Sequence, residues 1–94
     1  MRCFKLRVKS TSDAEGKKKG ARRFAHVWVN EKDLDKAEAR TRKLLMDQGW
    51  SVESIELSMA PSPEEIACLD PIQSAAHRRA LSGGIYAYFS GLDE

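Results

Sequence analysis

Residues 3–9 alternate strictly between apolar and basic side chains after the opening cysteine. Phe4, Leu6 and Val8 share one parity, and the residues between them are lysine or arginine. A period of two is typical of a strand that is buried on one face only. The chain must therefore build its fold around a sheet, with this strand half-buried in it.

Strand character recurs in three further segments, the first of them rich in aromatic and β-branched residues. In the second, Ile55, Leu57 and Met59 alternate with serine and glutamate. We therefore expect these three side chains to face the same side as the apolar residues of the first strand. The additional strands are predicted at about 22–29, 52–59 and 85–89.

A helix is predicted between the second and third strands. Asn30 or Asp33 can cap its first turn, and Gly49 stands where a left-handed residue would end it. The apolar stripe has helical spacing, which predicts an amphipathic helix packed on the sheet. The stripe consists of Leu34, Ala37, Thr41, Leu44, Leu45 and Gln48.

Two shorter helices are predicted between the third and fourth strands. Residues 62–65, Ser-Pro-Glu-Glu, form a capping box with proline at the first helical position. Pro71 ends that helix near Asp70, which caps another helix that runs to about Leu81 before two glycines. The predicted inward residues of the second helix are Ile72, Ala75, Ala76 and Ala80.

The order β-β-α-β-α-α-β predicts one α+β domain over residues 1–94. We expect a two-layer sandwich, in which a four-stranded, mainly antiparallel or mixed sheet carries two to three helices on one face. Residues 10–20 are expected to form a flexible basic loop, and residues 90–94 a tail. The architecture resembles ferredoxin-like modules in its layers only, because the usual order there is β-α-β-β-α-β.

The charge is distributed unevenly along the chain. Residues 1–23 contain nine basic and two acidic residues, a net charge of +7, whereas residues 24–94 carry −5. This asymmetry suggests a polyanionic partner or a second copy of the chain. The two cysteines are too few for a disulfide scaffold, and no stretch has the apolar length of a membrane span or signal peptide. We therefore expect a cytoplasmic protein with no membrane partner.

Catalytic and metal-binding patterns are weak. Cys3, His26, Cys68 and His77 do not show the close spacing of preorganised zinc ligands. A Cys–His pair would also need an orienting group and oxyanion donors, and nothing in the sequence marks either. The sequence therefore predicts a protein that is not an enzyme and has no metal site or cofactor.

The sheet face opposite the helices is the strongest functional candidate, although the second strand allows two assignments. Placing Ala25, Val27 and Val29 under the helices exposes the larger side chains of this strand, which include Phe24 and Trp28. The opposite assignment buries Phe24 and Trp28. We favour the first, because the basic residues of the neighbouring first strand already mark the outer side of the sheet. An aromatic-rich open face should then meet a partner. The predicted interaction face consists of Phe24, His26, Trp28, Tyr86 and Tyr88.

Two functions compete for this face. The favoured one is a small interaction module that forms a homodimer or binds another protein through the aromatic face or a sheet edge, with Trp28 covered by a second copy. The alternative is single-stranded nucleic-acid binding, in which rings stack on bases and cations hold phosphates. The predicted phosphate contacts are Lys5, Arg7, Lys17, Lys18, Lys19, Arg22 and Arg23.

Overall fold

The computed structural model describes residues 1–11 and 20–91, so most of the predicted basic loop and the end of the predicted tail lie outside the described residues. The α+β class is confirmed, with a four-stranded antiparallel sheet and three helices. The elements are β1 (Arg2–Ser10), β2 (Arg22–Val29), α1 (Leu34–Asp47), β3 (Trp50–Met59), α2 (Pro63–Ala67), α3 (Pro71–Gly83) and β4 (Ile85–Gly91).

The sheet has the strand order β3-β1-β2-β4. Strands β1 and β2 form an antiparallel hairpin in regular register, with Phe4 opposite Val27 and Leu6 opposite Ala25. On the side that we call the first face, these residues pack with α1 and with Trp50. The buried residues of this core are Phe4, Leu6, Val8, Ala25, Val27, Val29, Ala37, Leu45 and Trp50.

The predicted helix starts are confirmed, together with the residues that cap them, whereas α2 ends at Ala67, before Asp70, and α3 continues to Gly83, beyond Leu81. Asp33, rather than Asn30, caps α1 by accepting a hydrogen bond from the backbone N–H of Lys36. Ser62 and Glu65 form the complete capping box of α2. Gly49 has a φ of 83°, the left-handed geometry that ends α1 and directs the chain into β3.

The prediction that all helices share one face of the sheet is wrong. Helix α3 packs on the opposite side, the second face, where Ala76 and Ala80 lie against Trp28. Trp28 is only 2% exposed, and its ring meets the ring of His77 edge-on with the centroids 5.5 Å apart. Trp28 has the predicted parity, but its own chain covers it. Ile72, predicted to face inward, is 67% exposed.

The strand order explains why the helices separate. Strands β2 and β3 are both antiparallel to β1, so they are parallel to each other, and α1 forms the crossover between them. The handedness rule governs such parallel crossovers. Strands β3 and β4 lie at opposite edges and run antiparallel, so the rule does not restrict the α2–α3 connection to the face that α1 occupies.

Two irregularities in β3 overturn the predicted alternation of that strand. The β1–β3 register shifts between Lys5 and Leu6 and again between Arg7 and Val8. Ile55 pairs with Leu6 on the first face, whereas Leu57 pairs with Lys5 on the second. A bulge inserts one unpaired residue, so side chains two positions apart lie on opposite faces. Met59, opposite Cys3, therefore also lies on the second face.

Replacing Trp28 with alanine should strongly destabilise the domain. The side chain fills the space between β2 and α3, and removal of a buried tryptophan costs about 3–5 kcal/mol of unfolding free energy. Chemical denaturation followed by circular dichroism measures this loss. Leu81→Ala is the control, because Leu81 lies on the same helix and is 52% exposed. A loss below about 1 kcal/mol for Trp28→Ala would contradict this packing.

Candidate functional site

The aromatic residues predicted to form the interaction face do share the second face. Trp28 pairs with Tyr86, and His26 pairs with Tyr88 on the adjacent strand. Phe24, His26, Tyr86 and Tyr88 are half-buried. Because α3 lies over Trp28 and beside Tyr86, the open part of the second face is smaller than predicted.

Each of these half-buried rings already has a neighbour on one side. The rings of His26 and Tyr88 stack with centroids 4.7 Å apart and planes 9° from parallel. Lys5 Nζ lies 4.5 Å from the centroid of the Phe24 ring. The Arg79 guanidinium carbon lies 5.1 Å from the centroid of the Tyr86 ring. These contacts are cation–π and stacking interactions within the chain, and they restrict the ring surface that a ligand can reach.

The basic residues predicted as phosphate contacts are divided between the faces. Lys5, Arg7 and Arg22 belong to the second face by their register. Glu56 pairs with Arg7 at 3.5 Å, and Glu53 pairs with Arg22 at 3.1 Å. Arg23 is opposite Val8 and therefore belongs to the first face. The remaining three, Lys17, Lys18 and Lys19, lie outside the described residues.

A groove of about 390 Å³ lies between the second face and the α2–α3 segment. Its lining includes residues that the sequence did not indicate, because Leu57 and Met59 reach this face only through the bulges in β3. Gln73, in the first turn of α3, joins them because α3 packs on this side. The groove is lined by Cys3, Lys5, His26, Trp28, Leu57, Met59, Pro61, Glu65, Leu69, Gln73 and Tyr88.

Burial shifts the pKa values of three groups that line the groove, Cys3, His26 and Tyr88, in the direction that favours their neutral forms. Burial raises the pKa of the Cys3 thiol to about 11, so the thiol is protonated at neutral pH and is a poor nucleophile. Burial also raises the pKa of Tyr88, as do the nearby Cys3 and Asp70, whereas a hydrogen bond with Gln73 lowers it. Both cysteines are free. Among residues 1–11 and 20–91, no three His, Cys, Asp or Glu side chains form a group that could hold a metal ion.

The outer edge of β4 is a second candidate site. The backbone N–H of Asn30 donates to the carbonyl of Gly84, at 2.8 Å. These two residues are therefore a hydrogen-bonded pair, from which the alternation along β2 and β4 can be counted. In an antiparallel pair, residues alternate between exchanging hydrogen bonds with the partner strand and pointing away from it. The regular register therefore directs the backbone groups of Ile85, Ala87 and Phe89 away from β2, towards the open edge.

The two edges of the sheet differ in their protection. β3 contains two register irregularities and exposes Glu53 and Glu56. Bulges and charged side chains are common means of preventing edge-to-edge pairing. β4, with the sequence Ile-Tyr-Ala-Tyr-Phe-Ser-Gly, contains no charged residue and no proline, and its pairing with β2 has no irregularity. Of the two edges, β4 is the one that can accept another strand.

Comparisons with known proteins identify no relative: no family model matches the chain, and neither curated proteins nor solved structures give a match. None of the helices in the described part of the chain is long and apolar enough to cross a membrane. The β4 edge and the groove are therefore the features that indicate a function.

The pKa of His26 should be below its ordinary value of 6.5, because burial and the nearby ammonium of Lys5 both disfavour the protonated ring. The unfolded chain then binds the proton more readily, so the free energy of unfolding should fall as the pH falls below about 6.5. Titration of the His26 ring by NMR measures the pKa directly.

Lys5→Met should raise the pKa of His26 by removing the nearby positive charge, while burial keeps it below 6.5. Lys9→Met is the matched control, since Lys9 lies on the same strand but is paired with Arg22 rather than with His26. A His26 pKa at or above 6.5 in the native protein would contradict this electrostatic environment.

Proposed function

We propose that the protein is a small interaction module that forms a homodimer by pairing β4 with β4 of a second copy. The observation that carries the proposal is the unprotected edge, where Ile85, Ala87 and Phe89 direct backbone donors and acceptors away from β2. Unpaired strand edges are templates for addition of another strand. Pairing of the two edges creates a continuous eight-stranded sheet across the dimer.

The edge is complementary to itself in an antiparallel arrangement. With Ala87 at the twofold axis, Ile85 of one copy is opposite Phe89 of the other, and each such outward-facing pair exchanges two hydrogen bonds. On the second face, this register places Tyr86 opposite Tyr88 of the second copy. Aromatic cross-strand pairs stabilise a sheet, and no charged side chain of β4 opposes the contact.

Surfaces on both sides of the edge support the choice of a second copy as the partner. On the second face, Ile72 is 67% exposed in a depression beside Tyr86 and Tyr88. On the first face, a depression beside Ile85 is lined by residues of opposite charge, including Lys43 and Asp47. A twofold axis brings these surfaces of the two copies together, so that a positive side chain of each copy can pair with a negative side chain of the other.

Dimerisation through the open sheet face is supported less well. Its largest apolar residue, Trp28, is covered by α3. The remaining surface carries Lys5, Arg7 and Lys9, and a twofold contact there would bring like charges together. Single-stranded nucleic acid fits those charges, but Glu56 pairs with Arg7, and one side of the Phe24 ring faces Lys5. The edge is therefore the better-supported interaction site.

Sedimentation equilibrium of the native chain and of Ala87→Pro tests the proposal. Proline removes an outward N–H without removing a bond to β2, and edge strands tolerate it. The native chain should be dimeric at micromolar concentrations, and Ala87→Pro should raise the dimer dissociation constant at least about tenfold. Ala87→Gly is the matched control, because it lowers strand propensity but keeps the N–H.

Circular dichroism must show that both variants remain folded. A native chain that stays monomeric at about 100 μM would exclude the edge-paired dimer, as would an Ala87→Pro variant with unchanged association. The same measurement is repeated with mixed-sequence oligonucleotides added to the native chain. If the mass of the sedimenting species rises only when the oligonucleotides are present, the nucleic-acid alternative replaces the proposal.

A further inference from the structure

The groove on the second face combines apolar walls with aromatic side chains. Leu57 and Met59 come from β3, and Leu69 comes from the turn between α2 and α3. Trp28 borders the groove with only 2% of its surface exposed, so the accessible aromatic surface comes from the half-buried ring of Tyr88. Small-molecule sites have this composition, and a volume of about 390 Å³ lies within their usual range.

A few polar groups converge on the same groove. Lys5 lines the groove, and its ammonium lies over the ring of Phe24. Within residues 1–11 and 20–91 this ammonium forms no ion pair with a carboxylate. His26 Nε2 lies 2.9 Å from Ser90 Oγ, which holds one side of the ring. The Glu65 carboxylate also lines the groove, but its Oε1 accepts the backbone N–H of Ser62 in the capping box.

We propose that this groove binds a small aromatic acid, with the planar apolar part against Leu57 and Met59 and the carboxylate at Lys5. The aromatic class follows from the Met59 thioether and the half-buried Tyr88 ring of the lining, since aromatic rings pack favourably on both groups. The negative charge of the ligand follows from Lys5. This residue is partly buried, and its ammonium can donate a hydrogen bond to an anion. The site goes beyond the proposed dimer, because Leu57, Met59 and Lys5 lie on the β3–β1 side of the sheet, away from the β4 edge.

The probe for the test is 2-naphthoate, with 2-naphthamide as its neutral counterpart of similar shape. Isothermal titration calorimetry should detect binding of 2-naphthoate to the native chain and binding of 2-naphthamide at least about tenfold weaker. NMR should show that the resonances perturbed by 2-naphthoate include the indole N–H of Trp28 and the side-chain amide of Gln73.

Two variants test the residues. Lys5→Met should weaken 2-naphthoate binding about tenfold, the usual size of a lost charge-assisted hydrogen bond, and should leave 2-naphthamide binding unchanged. Leu57→Glu should also weaken binding of 2-naphthoate, because it adds a negative charge at a wall residue that is 49% exposed. Lys9→Met is the control with the same change of charge on the same strand.

Absence of 2-naphthoate binding to the native chain would overturn the proposal. Equal weakening by Lys5→Met and Lys9→Met would also overturn it, because the effect would then come from overall charge. Equal affinities for the acid and the amide would exclude the role given to Lys5. Each variant is compared with the native chain by circular dichroism, so that loss of binding is not confused with loss of structure.

Discussion

The fold depends on one constraint, which is that β2 is apolar on both faces. Ala25, Val27 and Val29 occupy the first face, while Trp28 occupies the second. Exposure of either set to water would forfeit much of the core of a 94-residue chain. Both faces of this strand must therefore be covered. Helix α1 covers one and α3 the other, which leaves the aromatic rows beside Trp28 only partly open.

Much of the fold could be predicted from the sequence, because strands, helices and their ends are set by local chemistry. The alternation of residues 3–9 and the capping box at Ser62 are signals of this kind. The face covered by α3 could not be predicted in this way, since it depends on which strands are neighbours. The face on which Leu57 lies could not be predicted either. A bulge depends on the register between two strands, and the sequence of a single strand contains no clear signal for it.

The candidate site was predictable to a similar extent. Parity grouped Phe24 with His26 and Tyr86 with Tyr88, and the favoured assignment of the second strand put both pairs on one face, as the structure does. The groove could not be predicted, because it forms only where α3 packs over the sheet and β3 changes its alternation. The free edge of β4 depends on the strand order for the same reason. The properties proposed as functional arise from tertiary arrangement, whereas the residue types that supply them are visible in the sequence.

The central claim is that β4 pairs with a second copy through its outward backbone groups. Hydrogen–deuterium exchange of the β4 amides, recorded by NMR at two protein concentrations, tests it most directly. The amides of Tyr86 and Tyr88 point towards β2 and should be protected at both concentrations. Those of Ile85, Ala87 and Phe89 should be protected only at the concentration where the dimer forms. Rapid exchange of all three at both concentrations would contradict the account.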